Sequence, residues 1–284
     1  MTVVTDIVAA VKSLPPLSDS AGKLLEVMNT GRHTAVDVAK AVEMDPTLTA
    51  KVLRIVNSPV YGLRLPVESV GRAVAYLGDK TVLGIALESG AGDLYKKPLT
   101  GYETGDDTLW AHSLYTAIGA RELSRYSREV LSPDIAYTAG LLHDIGKAVI
   151  DAWLVGQAKE IVQLADASQK SFDESERECL GTSHAQVGGL VMARWGLPES
   201  LRHAATFHHA PRSAPQSVRG LVYAVHLGDF LAMMGGVGTG ADTLLYALDP
   251  DYATYFSLEP DELERITLAI EDEYRKVMAA MSGC

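Results

Sequence analysis

Cysteine is almost absent: Cys179 and Cys284 are the only two in 284 residues. Two thiols cannot build a disulfide framework, so the expected compartment is a reducing one. Long apolar runs are missing as well. Hydrophobic residues make up 47% of the chain, enough for a large core, yet no run approaches the length that crosses a bilayer. The N-terminus, Met1-Thr2-Val3-Val4-Thr5-Asp6, has no basic start before an apolar core, unlike a signal peptide. The apolar Ile7-Val8-Ala9-Ala10-Val11 that follows reads as a short amphipathic helix before Pro15-Pro16. A cytoplasmic protein is the expectation. There is no basic excess either. The net charge is −11, and because residues 1–105 are balanced, all of it falls on residues 106–284. An acidic half repels phosphate backbones and anionic lipid, which argues against nucleic acid and membrane as partners. The most acidic stretch, Asp242 to Glu273, is expected to form exposed loops and a final helix.

Strictly alternating segments and internal repeats of fixed period are also lacking, which leaves no sheet signal and no solenoid signal. What the chain has is helical punctuation. Thr34 followed by Asp37 approximates a capping box, and Asp45-Pro46 pairs an N-cap with a proline at the first helical position. Leu48, Val52, Leu53, Ile55 and Val56 then recur at helical spacing up to Asn57-Ser58-Pro59. Gly196 closes one helix, and Leu197-Pro198-Glu199 opens the next. The fold class is therefore all-α and multi-helical. Residues 97–107 concentrate Pro, Gly and polar residues, so an N-terminal helical subdomain over 1–105 and a C-terminal one over 106–284 are expected. Gly235-Gly236-Val237-Gly238-Thr239-Gly240 has neither a following Lys-Ser/Thr nor a preceding strand, and reads as a flexible connection rather than a phosphate-cradling loop.

The most informative stretch is Gly140-Leu141-Leu142-His143-Asp144-Ile145-Gly146-Lys147, which sets an adjacent His-Asp pair and a lysine at the end of an apolar segment. Roughly 0.5 His-Asp pairs are expected by chance at this composition, so the dipeptide alone is weak. Its weight comes from His112 upstream and from His184, His208-His209 and Asp229 downstream, in or beside apolar helical segments. Buried imidazoles and carboxylates need partners, and a divalent cation serves both. The bland readings are a core histidine at His112, an exposed first-turn residue at His184, and one solvent-facing ring in the His208-His209 pair. Asp229, within Tyr223-Ala224-Val225-His226-Leu227-Gly228-Asp229-Phe230-Leu231, would be costly to bury unpaired. Lys147 is either a solvated helix-end lysine or a contact to a phosphate oxygen. His203 and His226 read as structural.

The order His112, His143-Asp144, His184, His208-His209, Asp229 resembles the HD superfamily of metal-dependent phosphohydrolases, extended as in its binuclear members. Leu14-Pro15-Pro16-Leu17, Asp45-Pro46-Thr47-Leu48 leading to Asn57-Ser58, and Ala73-Val74-Ala75-Tyr76-Leu77-Gly78 resemble HDOD, the HD-related output domain of bacterial signalling. So do Ser183-His184-Ala185-Gln186-Val187-Gly188 and Trp195-Gly196-Leu197-Pro198, so the likeness covers most of residues 14–230. The resemblance implies a regulatory signalling protein with one or two divalent transition metals (Fe, Mn, Zn or Ni). His112, His143, Asp144 and Asp229 would hold the first ion, and Asp144 would bridge to a second held by His184, His208 and His209. It implies a protein partner in a signalling pathway. The alternative is an active phosphohydrolase acting on a nucleotide or phosphodiester, with Asp144 and Lys147 in its catalytic machinery and a phosphorylated small molecule as ligand. Many HDOD proteins have lost the metal-binding residues, whereas this chain has them. The Gly-Tyr-Pro signature of the cyclic-dinucleotide phosphodiesterases is missing, since Ala210-Pro211-Arg212 follows the His-His pair. These residues also include no receiver, kinase or diguanylate cyclase segment, so a signal is expected to arrive from a separate chain or a small ligand.

Overall fold

Helix starts in this chain are set by local hydrogen bonding. Asp45 Oδ1 accepts the backbone N–H groups of Thr47 and Leu48 at 2.9 and 3.0 Å, and Pro46 occupies the first helical position. The Thr34 and Asp37 pair closes a reciprocal capping box. At the end of the helix that Asp45 begins, the Asn57 side chain donates to Leu53 O at 2.8 Å and Val67 O at 2.9 Å and accepts from Val67 N at 2.8 Å. One amide thus stops the helix and pins the following loop. A second capping box, Ser171 with Glu174, was not anticipated from the sequence.

The structure is a computed structural model that describes residues 3–30, 32–91 and 94–282. Met1, Thr2 and Cys284 lie outside the described residues. Sixteen α-helices and no strand occur among them, with a lone bridge between Ser127 and Phe256. The first six are α1 (Val3–Ser13), α2 (Asp19–Asn29), α3 (Ala35–Glu43), α4 (Pro46–Val56), α5 (Val70–Leu77) and α6 (Asp79–Gly90). After a 3-10 turn at Thr100–Tyr102 come α7 (Thr108–Ser124), α8 (Pro133–Leu142), α9 (Lys147–Leu154), α10 (Ala158–Ser168) and α11 (Phe172–Leu180). The chain ends with α12 (His184–Arg194), α13 (Glu199–Phe207), α14 (Arg219–Met234), α15 (Tyr252–Tyr255) and α16 (Pro260–Ser282). Among the described residues no helix is long and apolar enough to cross a membrane.

The helices form two compact units. One comprises residues 1–16 and 93–267, the other residues 17–92 and 268–284. In the smaller, the apolar faces of α2 to α5 (Leu24, Leu25 and Met28; Val38 and Val42; Val52 and Ile55; Ala73 and Val74) meet on the nearly all-buried α6. Each of these buried side chains larger than alanine contributes about 1.5–3 kcal/mol.

The larger unit is built on α7, which is buried on nearly every face and packs against α8 and α14. Close approach depends on small residues. A Cβ added at Gly228 of α14 would stand 2.8 Å from Thr116 O and 2.9 Å from Ala120 N of α7. At Gly146 the constraint is tighter, because an added Cβ would lie 2.0 Å from His184 O and 2.5 Å from Gly188 N. The missing side chain lets the start of α12 sit against the α8–α9 junction, next to His143 and Asp144.

Gly146→Ala is therefore expected to force α12 away from this junction and to cost about 1–3 kcal/mol. Urea denaturation checks this; an unchanged midpoint would mean that the two segments separate without penalty.

Candidate metal centre

Five of the seven candidate residues stand at or next to helix termini and two at mid-helix, all in the larger unit. His143 caps the C-terminus of α8 and Asp144 follows it. His184 is the first residue of α12, entered through the N-cap Ser183. His208 caps the C-terminus of α13, and His209 follows. His112 and Asp229 lie inside α7 and α14. Helix ends leave carbonyls without intrahelical partners, and two of the histidines use them. His143 Nδ1 pairs with Gly140 O and His208 Nδ1 with Ala205 O, both at 2.7 Å. His112 Nδ1 meets Val237 O at 2.7 Å, and His184 Nδ1 meets Glu176 Oε2 at 2.7 Å. A carbonyl or carboxylate only accepts, so each Nδ1 carries the proton and donates. In the neutral rings the lone pair is thus on Nε2, aimed inward, the arrangement a metal-binding imidazole requires.

The inward atoms converge. Asp144, 1% exposed, turns one oxygen to each side: Oδ1 lies 3.5 Å from both His184 Nε2 and His208 Nε2, while Oδ2 lies 3.5 Å from His112 Nε2 and 3.4 Å from His143 Nε2. Asp229 Oδ1 is 3.1 Å from His112 Nε2 and 3.9 Å from His143 Nε2, and its Oδ2 is 3.8 Å from His209 Nδ1. The seven fall into two groups, Asp144 with His184, His208 and His209, and His112 with His143 and Asp229, whose ligand atoms lie within 4.8 Å of one another. Ligand atoms around one ion, each about 2.0–2.2 Å from it, stand about 3–4 Å apart. Five of the converging atoms, His112 Nε2, His143 Nε2, Asp144 Oδ1, His208 Nε2 and His209 Nδ1, are buried without a hydrogen-bond partner. Buried polar atoms are rarely left so, and here they share one point of aim.

The protonation pattern has the same origin. Burial, against the opposing charge of Asp144, brings His143 down to about 3. Burial together with His208 and His184 holds His209 well below its ordinary value. Burial also works against charge on His184, but the Glu176 carboxylate prevails and lifts it to about 9. At Asp229 burial would raise the carboxyl, and His112 beside it holds it at about 2. Without a metal, a second proton thus sits on His184, whose Nε2 faces His209 Nε2 at 3.0 Å.

Lys147 is neither solvated nor at the surface: it is 1% exposed, with Nζ 2.6 Å from Asp144 Oδ2, 2.7 Å from Thr239 Oγ1 and 2.7 Å from Asp242 Oδ2. The sequence reading missed Glu176, Val237, Thr239, Asp242 and Tyr246. Glu176 also accepts from Tyr102 O–H at 2.5 Å and His184 N–H at 2.9 Å. Tyr246 stacks flat on His209, 3.7 Å between centroids and 3° between planes. The glycine-rich stretch expected as a flexible connection is docked on the site through Val237 and Thr239. Asp242, expected on an exposed acidic surface, is 0% exposed because Lys147 compensates its charge. The ammonium of a buried Lys147 was the available signal, since it must have partners somewhere. His226 donates from Nδ1 to His208 O at 2.8 Å and accepts from Asp249 N at 3.0 Å, so neither ring nitrogen is open to a ligand.

Comparison with known proteins gives a consistent picture. The HDOD domain family model matches residues 14–211, more than half of the chain. Among solved structures, an HDOD domain protein of unknown function from Geobacter sulfurreducens is 24% identical with a TM-score of 0.66, over 98% of this chain and 97% of that one. A candidate signal transduction protein from Marinobacter aquaeolei VT8 is 22% identical with a TM-score of 0.77, over 96% of this chain and 60% of that one. A candidate phosphohydrolase from Shewanella amazonensis SB2B is 22% identical with a TM-score of 0.59, over 98% and 97%. These likenesses show the fold. An uncharacterized protein of Treponema pallidum (strain Nichols) is 23% identical over 206 residues, 72% of this chain; the match spans 39% of that protein's length.

Because His184 is lifted to about 9, a metal entering at pH 7.5 has to displace its Nε2 proton. Calorimetry in buffers of different ionisation enthalpy is expected to show release of about one proton for the ion on this side. Heats independent of the buffer would refute the assignment of that proton.

Proposed function

The chain belongs to the HDOD family, and from that premise we propose that it is a bacterial signal-transduction protein whose larger unit holds one or two divalent transition metals. His112, His143 and Asp229 would hold one ion, and His184, His208 and His209 the other, with Asp144 offering an oxygen to each. The observation that carries this reading is the set of five unpartnered buried ligand atoms, three of them Nε2 atoms of histidines whose Nδ1 protons are fixed elsewhere. An all-nitrogen-and-carboxylate donor set suits Fe, Mn, Zn or Ni. A partner protein in the signalling pathway would read the loaded state.

A second reading, a metal-dependent phosphohydrolase acting on a nucleotide or phosphodiester, is favoured by the split use of the two Asp144 oxygens, which a shared pair of ions would need. Two such ions would supply positive charge and Lewis acidity toward a phosphoryl oxygen. Charge decides when this can happen. Four buried carboxylates, Asp144, Glu176, Asp229 and Asp242, face one buried ammonium, Lys147. A single divalent ion leaves the group net negative and repels phosphate, whereas two leave it slightly positive. Catalysis is thus expected only from the doubly loaded protein, in which Asp144 would offer an oxygen to each ion and Lys147 would hold Asp144 in place.

Elemental analysis of the purified, untagged protein tests the reading, with about one to two equivalents of Fe, Mn, Zn or Ni expected. Asp144→Ala is expected to lose both ions, and His208→Ala only the ion on its own side. Unchanged stoichiometry in Asp144→Ala, or no metal after reconstitution, would sink the assignment. Phosphatase and phosphodiesterase turnover by the doubly loaded wild type, lost in Asp144→Ala, would establish the second reading.

A further inference from the structure

Lys147 Nζ donates to Asp144 Oδ2 at 2.6 Å and Thr239 Oγ1 at 2.7 Å and forms an ion pair with Asp242 Oδ2 at 2.7 Å, so its charge is engaged within the chain. Two of these partners come from the segment after α14, Thr239 being 92 residues away along the chain. Asp242 itself is wrapped by donors. Besides Lys147 it receives the Thr239 hydroxyl at 3.0 Å and the Tyr246 hydroxyl at 2.8 Å. One ammonium and two hydroxyls around a buried oxyanion are equally the donor set that a phosphate group takes. The oxyanion here belongs to the chain.

Resting on the metal reading above, we infer that Asp242 occupies the phosphate subsite of the metal centre. Its carboxylate stands where the phosphate of a small phosphorylated ligand would sit, and Lys147 becomes available to that ligand only when Asp242 withdraws. The segment that carries it is suited to withdrawal. No α-helix lies between Met234 and Tyr252. The segment is tied to the rest of the larger unit at separated points, among them Val237 O to His112 Nδ1 at 2.7 Å, Ala241 N to Tyr102 O at 2.8 Å and Leu245 O to Phe172 N at 3.2 Å. Leu244 is held at φ 63°, a left-handed conformation that a branched side chain adopts reluctantly, and is 55% exposed. Tyr246 covers His209, so withdrawal of Asp242 would uncover a metal-side imidazole in the same movement. A phosphorylated ligand would then exchange one anion for another on Lys147 and release the segment, converting occupancy of the site into a change of surface. The family match ends at residue 211, so this device lies in the stretch beyond it.

The test uses the full-length, metal-loaded chain with inorganic phosphate as the probe. Phosphate binding to wild type and to Asp242→Asn is measured by calorimetry, with metal content determined on the same samples. Asp242→Asn is expected to bind phosphate at least about tenfold more tightly, because a neutral amide no longer competes for Lys147. Wild type provides a measurement that does not depend on the variant folding: hydrogen exchange across residues 237–246 is expected to accelerate in excess phosphate. Equal phosphate affinities in two metal-loaded proteins, no phosphate binding by either, or phosphate bound with exchange unchanged would each overturn the inference alone. Absence of metal from both proteins would overturn the metal reading, and this inference with it.

Discussion

A carboxylate buried as deeply as Asp144 costs several kcal/mol unless cations or donors surround it, and the larger unit is arranged to surround it. Three helix termini and one mid-helix position deliver imidazoles to its two oxygens, and α9 begins with the lysine that reaches it. Burial opposes the charge, yet His143 and Lys147 hold the carboxyl well below the usual range. The same requirement accounts for Gly146, which lets α12 come close, and for the second row of acceptors behind the histidines. The proton on His184 supplies part of the compensation where no metal does. Burial disfavours charge on His112, but Asp229 and Asp144 outweigh it and raise its pKa.

How much of this was legible in the sequence follows from the range of each interaction. Asp45-Pro46 marks a helix start because its hydrogen bonds close within three residues, and Thr34 with Asp37 does the same. The all-helical class was readable for that reason. His143 and Asp144 stood out because an adjacent polar pair ended an apolar run. Glu176, Thr239, Asp242 and Tyr246 carried no such mark. Glu176 sits in an acidic, amphipathic helix that looks solvated, and only the return of the chain to His184 buries it. Asp242 was grouped with the acidic surface because net charge says nothing about which carboxylate finds an ammonium. The glycine-rich stretch misled for a related reason. Glycines give a chain freedom, but the same absence of side chains lets backbone carbonyls such as that of Val237 reach a buried ring.

The charge inventory also separates the two functional readings without reference to any relative. A regulatory site needs ions that stay and a surface that changes. An enzyme needs a net positive pocket and an ammonium free to meet a phosphoryl oxygen. The arrangement around Lys147 satisfies the first condition and withholds the second, so one set of residues accommodates both a resting regulator and a conditional catalyst. Turnover by the doubly loaded protein, rather than the identity of the ligating residues, distinguishes them.

The use of Gly140 O and Ala205 O as supports for His143 and His208 has a consequence for kinetics. Last turns are where helices fray, and a frayed turn releases the carbonyl that holds the ring. The ion on His143 would depend on the end of α8 and the ion on His208 on the end of α13, and each would leave when its own turn opens. Each residence time would then follow the local stability of one helix end rather than the strength of the metal–nitrogen bonds, so that residues such as Leu141 and Ala204, neither of them a ligand, would set how long the protein stays loaded.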